Sequence, residues 1–418
     1  MTTDTRQVTS NRPAPPGPRT WVRKNLFASK LDSLLTVVFG GLGLYVLVRL
    51  LGFVFVNARW EIVDVNLKLM LVGRWPDAHL PRLAVAVIVL GPWGGLISGL
   101  IAGRRRLRGT SVIAGMPLPE RVADLGRRFG LMIGTVLLLL ALTDTGGPWL
   151  VMMATFVAGV AGRLVGGRIG QLTLRAYVSR LGLGLLAAVP LVLYLYLTDA
   201  VPLSEWEGFV FNITAAIAGI VLSFPLGVLL ALGRRSKLRL IQMVSIVYIE
   251  FIRGAPLYVL LLMANVSLEF FVPASVAPSK VTRAVVTFTI FTAAYLAEIV
   301  RGGLQSVPRG QEEAAKALGL SPTKQMTRIV LPQALRNVIP AQIGQFISLF
   351  KDTTLAGLAL GILELLQVAT AITQQDAFRG QGLIIETLVV VGFLFWVGSF
   401  TMSRESQRLE RKLGVGTR

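Results

Sequence analysis

Three pairs of charged residues lie within or beside long apolar segments of this sequence, where charge is costly. They are Glu250 with Arg253, Glu298 with Arg301, and Lys351 with Asp352. A lone charge at the centre of a bilayer costs about 2.5–3.5 kcal/mol on insertion scales, so such residues usually pair or face water. The first two pairs have an i,i+3 spacing, which brings both side chains to one face of a helix. Either these charges line a path for a small zwitterion or, as we favour, they are structural ion pairs that fix helix packing.

Enzymatic chemistry has few suitable residues in this chain. The sequence contains no cysteine and one histidine, His79. A thiol nucleophile, a disulfide and a thiolate metal site are therefore excluded, and histidine-based catalysis or metal binding is implausible. The sequence also lacks the G-x-x-x-x-G-K-[ST] phosphate loop, so it cannot supply an ATP site. We predict no catalytic residue, no metal site and no cofactor in this chain, and we expect that it is not an enzyme.

The composition is typical of an integral membrane protein. Hydrophobic residues make up 53% of the chain and charged residues only 15%, against about 25% in soluble domains. Apolar runs of about 20 residues, long enough to cross a bilayer as helices, recur along the sequence. We predict an all-α, polytopic membrane protein with about ten transmembrane helices. The predicted spans are approximately residues 31–56, 83–102, 131–142, 148–161, 181–197, 208–232, 240–271, 281–300, 341–360 and 384–402.

Basic residues determine the predicted orientation. The net charge is +20, and the arginine and lysine clusters fall in short loops between spans, as they do on the cytoplasmic side of membrane proteins. With ten spans, these clusters and both termini lie in the cytoplasm. The sequence has no basic stripe with interleaved aromatic residues, so we predict no nucleic-acid partner.

Changes in composition divide the chain into four parts. Residues 1–30 are Pro-rich, polar and basic, and are predicted to be a disordered cytoplasmic tail. Residues 31–204 form a predicted transmembrane extension of about five helices, with a polar outer loop at about residues 57–77. Residues 205–404 form a second transmembrane module. Residues 405–418 are a basic cytoplasmic tail.

Glycine recurs at every fourth position within the second predicted span, at Gly91, Gly95 and Gly99. Small residues at this spacing form one face of a helix and let a second helix approach closely. A pore-lining role is the alternative. We favour tight helix packing.

The longest polar island in the C-terminal half, residues 310–340, lies between two predicted spans. Strong helix formers fill residues 311–318. Gly319 suits the left-handed residue that ends a helix, and Ser321 before a proline suits the start of the next helix. The island therefore predicts a compact helix–turn–helix knob. Its second helix should end before Pro332, because the residue preceding proline avoids helical angles.

The knob carries a motif of a known family. The sequence EAA at 313–315, glycine at 319 and I-x-LP at 329–332 resemble the EAA loop of ABC importer permeases. In that family the loop is the coupling helix, which inserts into a cleft of a cytoplasmic ATPase. The resemblance implies that these residues couple the chain to an ATPase: Glu312, Glu313, Ala314, Ala315, Gly319, Ser321, Ile329, Leu331 and Pro332.

Other segments resemble the polar-amino-acid class of these permeases. They are residues 248–257, 297–306, 349–355 and 400–410. With the knob, the resemblance covers about residues 209–413. It implies a type I ABC permease core of five helices, with the EAA loop between the third and the fourth. Longer members, similar to the permeases of general L-amino-acid uptake systems, carry extra N-terminal helices such as the extension predicted here.

The resemblance also implies a function and partners. The chain would be a permease subunit of an ATP-driven importer for polar or general L-amino acids in the bacterial inner membrane. Its implied partners are a cytoplasmic ABC ATPase dimer that binds ATP and Mg²⁺, a second and different permease subunit, an external amino-acid-binding protein, and membrane lipid. The alternative is an ion-gradient-driven secondary amino-acid transporter, which would need intramembrane carboxylates and usually two related repeats. The sequence has no clear internal repeat, and that alternative leaves the EAA loop unexplained.

Overall fold

The computed structural model describes residues 17–107, 130, 134, 146–172, 176–267, 271–273 and 277–413. Within these residues every regular element is helical, which confirms the predicted all-α class. The α-helices are α1 (Pro18–Leu26), α2 (Lys30–Gly52), α3 (Glu61–Val72), α4 (Leu80–Leu107), α5 (Gly146–Ile169), α6 (Ala176–Ala200), α7 (Gly208–Arg234), α8 (Arg239–Gly254), α9 (Leu257–Val266), α10 (Lys280–Ser306), α11 (Arg309–Ala317), α12 (Pro322–Gln325), α13 (Leu331–Asn337), α14 (Ile339–Asp352), α15 (Leu355–Leu360), α16 (Leu365–Ala371) and α17 (Ile384–Leu413).

Six helical segments of the described residues are long and apolar enough to cross a membrane. They are Lys30–Asn57, Asp77–Arg104, Leu150–Ile169, Gly208–Arg234, Lys280–Ser306 and Ile384–Arg411. The pair α8 and α9 passes the same test together, although its two helices are bent by 101° at the break. The described residues thus give six or seven spans, and the total of about ten stays a prediction. The third predicted span, residues 131–142, lies outside the described residues apart from residue 134.

The ninth predicted span, residues 341–360, is wrong as a single helix. α14 ends at Asp352, and Thr353 and Thr354 separate it from α15. The Oγ1 atoms of these threonines donate to the carbonyl oxygens three residues earlier, at 2.7 and 2.9 Å. Such side-chain bonds compete with the backbone pattern of a helix, so the chain turns here.

α1 lies within the segment predicted to be a disordered tail, residues 1–30. Pro18 occupies the first turn of α1, where a missing backbone N–H costs nothing. The prediction of disorder is therefore wrong for residues 18–26. Residues 1–16 lie outside the described part of the chain.

α3 occupies most of the segment predicted to be an outer loop. Four of its apolar side chains are buried, at Ile62, Val63, Leu67 and Met70. Their spacing follows the helical period, a signal that the charges at Glu61, Asp64 and Lys68 obscured in the sequence. The prediction of an irregular loop is wrong there, because this apolar stripe has a core to pack against.

α3 belongs to the core of the second module. The chain divides into two compact units, Met1–Arg59 and Trp60–Arg418, and α3 lies in the second. Its buried face shares one hydrophobic core with Leu365 of α16 and Leu394 of α17. The core of this unit therefore begins N-terminal to residue 205.

Polar contacts hold α3 and its following loop against that module. Gln375 Nε2 donates to Asn66 Oδ1 of α3 at 2.8 Å. After α3, Arg74 Nε donates to Glu207 Oε2 at 3.0 Å, and Glu207 is only 5% exposed. These contacts fix the N-terminal end of α7.

The glycine repeat of α4 lets α5 approach to backbone contact. A Cβ atom added at Gly91 would lie 2.1 Å from the carbonyl oxygen of Thr155, and one at Gly95 would lie 2.0 Å from that of Gly159. Gly99 is equally close to the next turn of α5, at 2.3 Å. The predicted close packing is confirmed. The contacts advance in the same direction along both helices, so α4 and α5 are parallel, as the second and fourth predicted spans should be.

Gly95→Ala is expected to destabilise the protein, because its methyl group would overlap the α5 backbone. Overpacking of this kind costs about 1–3 kcal/mol. Gly94→Ala is the matched control, since a Cβ at Gly94 meets nothing within 4 Å. Thermal melting of the detergent-solubilised protein should show a lower midpoint for Gly95→Ala and an unchanged or higher one for Gly94→Ala. Equal midpoints would show that the α4–α5 contact relaxes freely.

Candidate ATPase-coupling site and charge cluster

The turn of the knob is a complete helix-ending motif. α11 ends at Ala317, and Gly319 follows with φ +73°, a conformation that side chains rarely adopt. Leu320 N–H donates to Ala315 O at 3.2 Å and Gly319 N–H donates to Lys316 O at 2.9 Å. This pair of bonds is the Schellman motif. The predicted turn at Gly319 is confirmed.

The predicted coupling residues of the first knob helix face different surroundings. Glu313 and Ala314 are exposed, whereas Ala315 is buried at 3% exposure. Glu312 is half-buried and lies 3.5 Å from the guanidinium of Arg235, at the end of α7. Ala315 and Glu312 therefore hold the first knob helix against the rest of the chain. Glu313 and Ala314 stay exposed on its surface.

The second half of the knob departs from the prediction. Ser321 precedes Pro322 at the helix start as expected, but its side chain makes no capping bond. The helical path then continues through a π-turn, Met326–Val330, into α13. The prediction that this helix ends before Pro332 is wrong.

The π-turn explains how the helix tolerates proline. Leu331 N–H donates to Met326 O, five residues back instead of four. Pro332 has no N–H, and its ring would clash with the carbonyl four residues earlier in a regular helix. A wider turn immediately before it relieves both problems. Ile329 and Leu331 are half-buried here, and Pro332 is exposed.

Tertiary packing holds the knob on α10. Val330 and Ala334 are buried at 1% and 0% exposure and share a core with Val300 and Leu304 of α10. A Cβ at Gly303 would lie 2.6 Å from the carbonyl oxygen of Ala334, so the two backbones touch. Val330 and Ala334 are not among the predicted coupling residues, although their i,i+4 spacing within the polar island indicates a buried stripe. The knob and α10 thus form one packed body.

Glu250, Arg253, Glu298 and Arg301 meet Arg234 in a cluster drawn from three helices. Glu298 of α10 accepts from Arg301 Nη2 at 2.7 Å and from Arg234 Nη1 of α7 at 2.7 Å. Arg253 of α8 lies 3.8 Å from the same carboxylate. Arg234 also donates to Glu250 of α8 at 2.9 Å. Glu298 is therefore the centre of the cluster, with three guanidinium groups around it.

This geometry confirms one predicted pair and corrects two. Glu298 and Arg301 pair as expected. Glu250 and Arg253 share a helix but take partners on other helices, because Arg234 and Glu298 offer closer oppositely charged groups. Lys351 and Asp352 form no ion pair in the described residues: Lys351 is exposed and Asp352 is half-buried. Adjacent residues point about 100° apart on a helix, which explains why they do not meet.

The cluster lies beside a sharp bend between α8 and α9. Arg253 precedes the break at Ala255-Pro256, where α8 and α9 meet at 101°. Its guanidinium also lies over the Tyr295 ring of α10, 5.5 Å from the centroid. Pro256 cannot continue the hydrogen bonding of α8. The cluster therefore ties the end of α8 to the helix that carries the knob.

A second buried polar group lies between the ninth and tenth predicted spans, and sequence analysis did not single it out. Glu364, 1% exposed, accepts from the N–H groups of Leu366 at 2.9 Å and Gln367 at 2.8 Å, which caps α16. Asn212 Nδ2 of α7 donates to the same carboxylate at 3.1 Å and to Thr353 Oγ1 at 3.0 Å. These bonds join α7, α14 and α16 in one network.

The pH dependence of stability should report on this network. Burial raises the pKa of the Glu364 carboxyl, and its hydrogen bonds to Leu366, Asn212 and Gln367 only partly oppose that rise. A native carboxyl with a raised pKa adds stability below the unfolded pKa of about 4.3, and this contribution is lost as pH rises through the native value. Wild type should therefore lose more thermal stability than Glu364→Gln between about pH 4.5 and pH 7.

Melting curves of detergent-solubilised protein across that pH range would measure the difference. Glu405→Gln is the control, since the Glu405 side chain is 61% exposed. It should follow the wild-type slope. A Glu364→Gln slope equal to that of wild type would show that Glu364 does not change its proton affinity on folding.

Comparisons with known proteins identify the family of this chain. Residues 223–415 match the family described as binding-protein-dependent transport system inner membrane component. The chain is 34% identical to the glutamate/glutamine/aspartate/asparagine transport system permease protein BztC of Rhodobacter capsulatus, over 97% of each chain. It is 39% identical to the inner membrane amino-acid ABC transporter permease protein YhdY of Escherichia coli, over 52% of this chain and 59% of that protein.

A solved structure, that of an amino acid ABC transporter with histidines, is similar to 52% of this chain and 97% of its own. The identity is 29% and the TM-score is 0.44. The match to BztC extends over the N-terminal part as well as the second module, and the named relatives are permeases of transport systems. The secondary-transporter alternative is therefore not supported. The chain belongs to the binding-protein-dependent transport system inner membrane components, among the amino-acid ABC transporter permeases.

Proposed function

We propose that this chain is a translocation subunit of an ATP-driven amino-acid importer, and that its first candidate substrates are glutamate, glutamine, aspartate and asparagine. The observation that carries the proposal is the 34% identity to BztC over 97% of both chains, because BztC is named for these four amino acids. The knob with its EAA motif supports the ATP-driven mode. This chain itself is proposed to carry no catalytic residue.

The coupling route is proposed to run from the knob through α10 to the bend between α8 and α9. Two connections support this route. Val330 and Ala334 of the knob pack against α10, and the Glu298 cluster joins α10 to α8. Closure of an ATPase dimer around bound ATP and Mg²⁺ would push on the knob. Because the knob and α10 are one packed body, the push would reach Arg253 and the adjacent break.

The remaining parts of the assembly follow from the same proposal. The partner ATPase would supply the ATP and Mg²⁺ sites, and an external binding protein would deliver the amino acid. A second permease of different sequence would complete the channel wall. The knob would lie in the cytoplasm, and with ten spans both termini would lie there too.

Uptake measurements would test substrate and energy source together. A strain lacking this protein, complemented with the wild-type gene, should regain uptake of radiolabelled glutamate, glutamine, aspartate or asparagine. Uptake should persist when a protonophore is added at unchanged ATP and should stop when ATP is depleted. Restored uptake of other amino acids only would contradict the proposed substrates. Uptake that collapses with the protonophore at unchanged ATP would contradict the ATP-driven mechanism.

A further inference from the structure

α1 separates its basic and apolar residues onto different faces. At 100° per residue, Trp21, Val22 and Leu26 share one face, whereas Arg19 and Arg23 lie along its edge. Trp21, Val22 and both arginines are exposed in the described chain. A basic amphipathic helix with a tryptophan on its apolar face is typical of helices that lie in a membrane surface.

An ordered corner fixes α1 at the end of a membrane span. Thr36 Oγ1 of α2 donates to the carbonyl oxygen of Leu26 at 2.6 Å. Ser29 caps α2 through the N–H of Asp32 at 3.0 Å. α1 therefore ends where α2 begins and does not extend it. The span that follows has a mean hydropathy of 2.1, and none of its residues is buried in the described chain, so lipid can surround it.

α1 and Phe27 line a shallow, open hollow of about 420 Å³. Its lining residues are Arg19, Val22, Arg23 and Phe27. Its lining is mainly apolar, and the exposed Arg19 and Arg23 contribute to it from the edge of the apolar face of α1. Guanidinium groups bind phosphate oxygens through paired hydrogen bonds. Two exposed cationic side chains thus lie beside an apolar contact surface.

We propose that this hollow binds the headgroup of an anionic phospholipid at the membrane surface. Arg19 and Arg23 contact the headgroup phosphate, and the upper part of an acyl chain lies against Val22 and Phe27. Charge complementarity selects an anionic lipid over a zwitterionic one. A free phosphate ion would leave the apolar half of the hollow unused.

The absence of cysteine allows a clean test. Asn25→Cys, on the apolar face but outside the hollow, is labelled with a fluorophore in the full-length protein purified with its partner subunits. The complex is reconstituted in vesicles of phosphatidylcholine with 30% phosphatidylglycerol, about the composition of a moderately anionic leaflet. Quenching of the fluorophore is then compared between two sets of vesicles. In one set phosphatidylglycerol carries brominated acyl chains, and in the other set phosphatidylcholine carries them.

At equal mole fraction, brominated phosphatidylglycerol should quench at least threefold more than brominated phosphatidylcholine. Arg19→Gln with Arg23→Gln should abolish the preference. Arg379→Gln with Arg411→Gln, two exposed arginines elsewhere, should keep it. Equal quenching by the two lipids, a preference that survives in the Arg19/Arg23 variant, or no quenching by either lipid would each overturn the proposal.

Discussion

Replacing Leu318 with aspartate is expected to reduce uptake about tenfold to hundredfold while the protein stays folded in the membrane. Leu318 is 81% exposed at the end of α11, an unusual place for a large apolar side chain in a polar segment. Burying a leucine in a partner's cleft contributes about 1.5–3 kcal/mol, which is about tenfold to hundredfold in affinity. Aspartate would remove that contribution and add a charge that must lose its hydration.

Uptake, membrane level and co-purification of the ATPase should be measured on the same cells. Leu172→Asp is the matched control, because Leu172 is 61% exposed after α5 and lies outside the knob. A second pair of variants tests the turn of the knob: Gly319→Val, with Gly380→Val as its control. The two glycines have φ values of +73° and +75°, and both have open space around them. Wild-type uptake with normal ATPase co-purification in Leu318→Asp would show that the end of the knob is not a contact site.

Glu298→Gln should strongly destabilise the protein, because three guanidinium groups would lose their shared carboxylate. Removing one partner of a buried ion pair costs about 3–5 kcal/mol. The Glu298 side chain is 16% exposed, so solvent screening makes a loss of about 2–3 kcal/mol the better expectation. The remaining charges of Arg234, Arg253 and Arg301 would then repel one another. α8 would lose its hold on α10 beside the 101° bend.

Glu250→Gln is the matched control for this variant. It removes the same charge from the same cluster, but the Glu250 side chain is 55% exposed and its ion pair is with Arg234 alone among the described residues. Its effect should be within about 1 kcal/mol. Melting midpoints and membrane levels separate the two interpretations of the charges. If both variants kept wild-type stability and changed only the concentration of amino acid that half-saturates uptake, the cluster would line the substrate path instead of fixing the helices.

Local chemistry explains what could be predicted from the sequence. The turn at Gly319 could be predicted, because the positive φ that ends a helix depends only on residues that are neighbours in the sequence. The glycines of α4 likewise signal close packing through their own spacing. Glu298 and Arg301 meet because both lie on one helix, three residues apart.

Features that depend on distant residues could not be predicted in this way. Pro332 favours a helix end, but packing of Val330 and Ala334 on α10 keeps the chain helical through a π-turn. Arg234 is one of the basic residues at the end of a span, and nothing local shows that it reaches Glu298, 64 residues away. The buried Glu364 depends on Asn212, which comes 152 residues earlier.

Photo-crosslinking tests most directly whether the knob docks on an ATP-binding subunit. Lys316→Cys in the cysteine-free chain carries a benzophenone label, and Ala377→Cys in the loop before α17 is the control; both positions are exposed. Membranes containing the whole system are irradiated, and adducts are identified by mass spectrometry. We predict an adduct between Lys316→Cys and the ATPase, and none from Ala377→Cys. Efficient labelling of Lys316→Cys without an ATPase adduct would contradict the account.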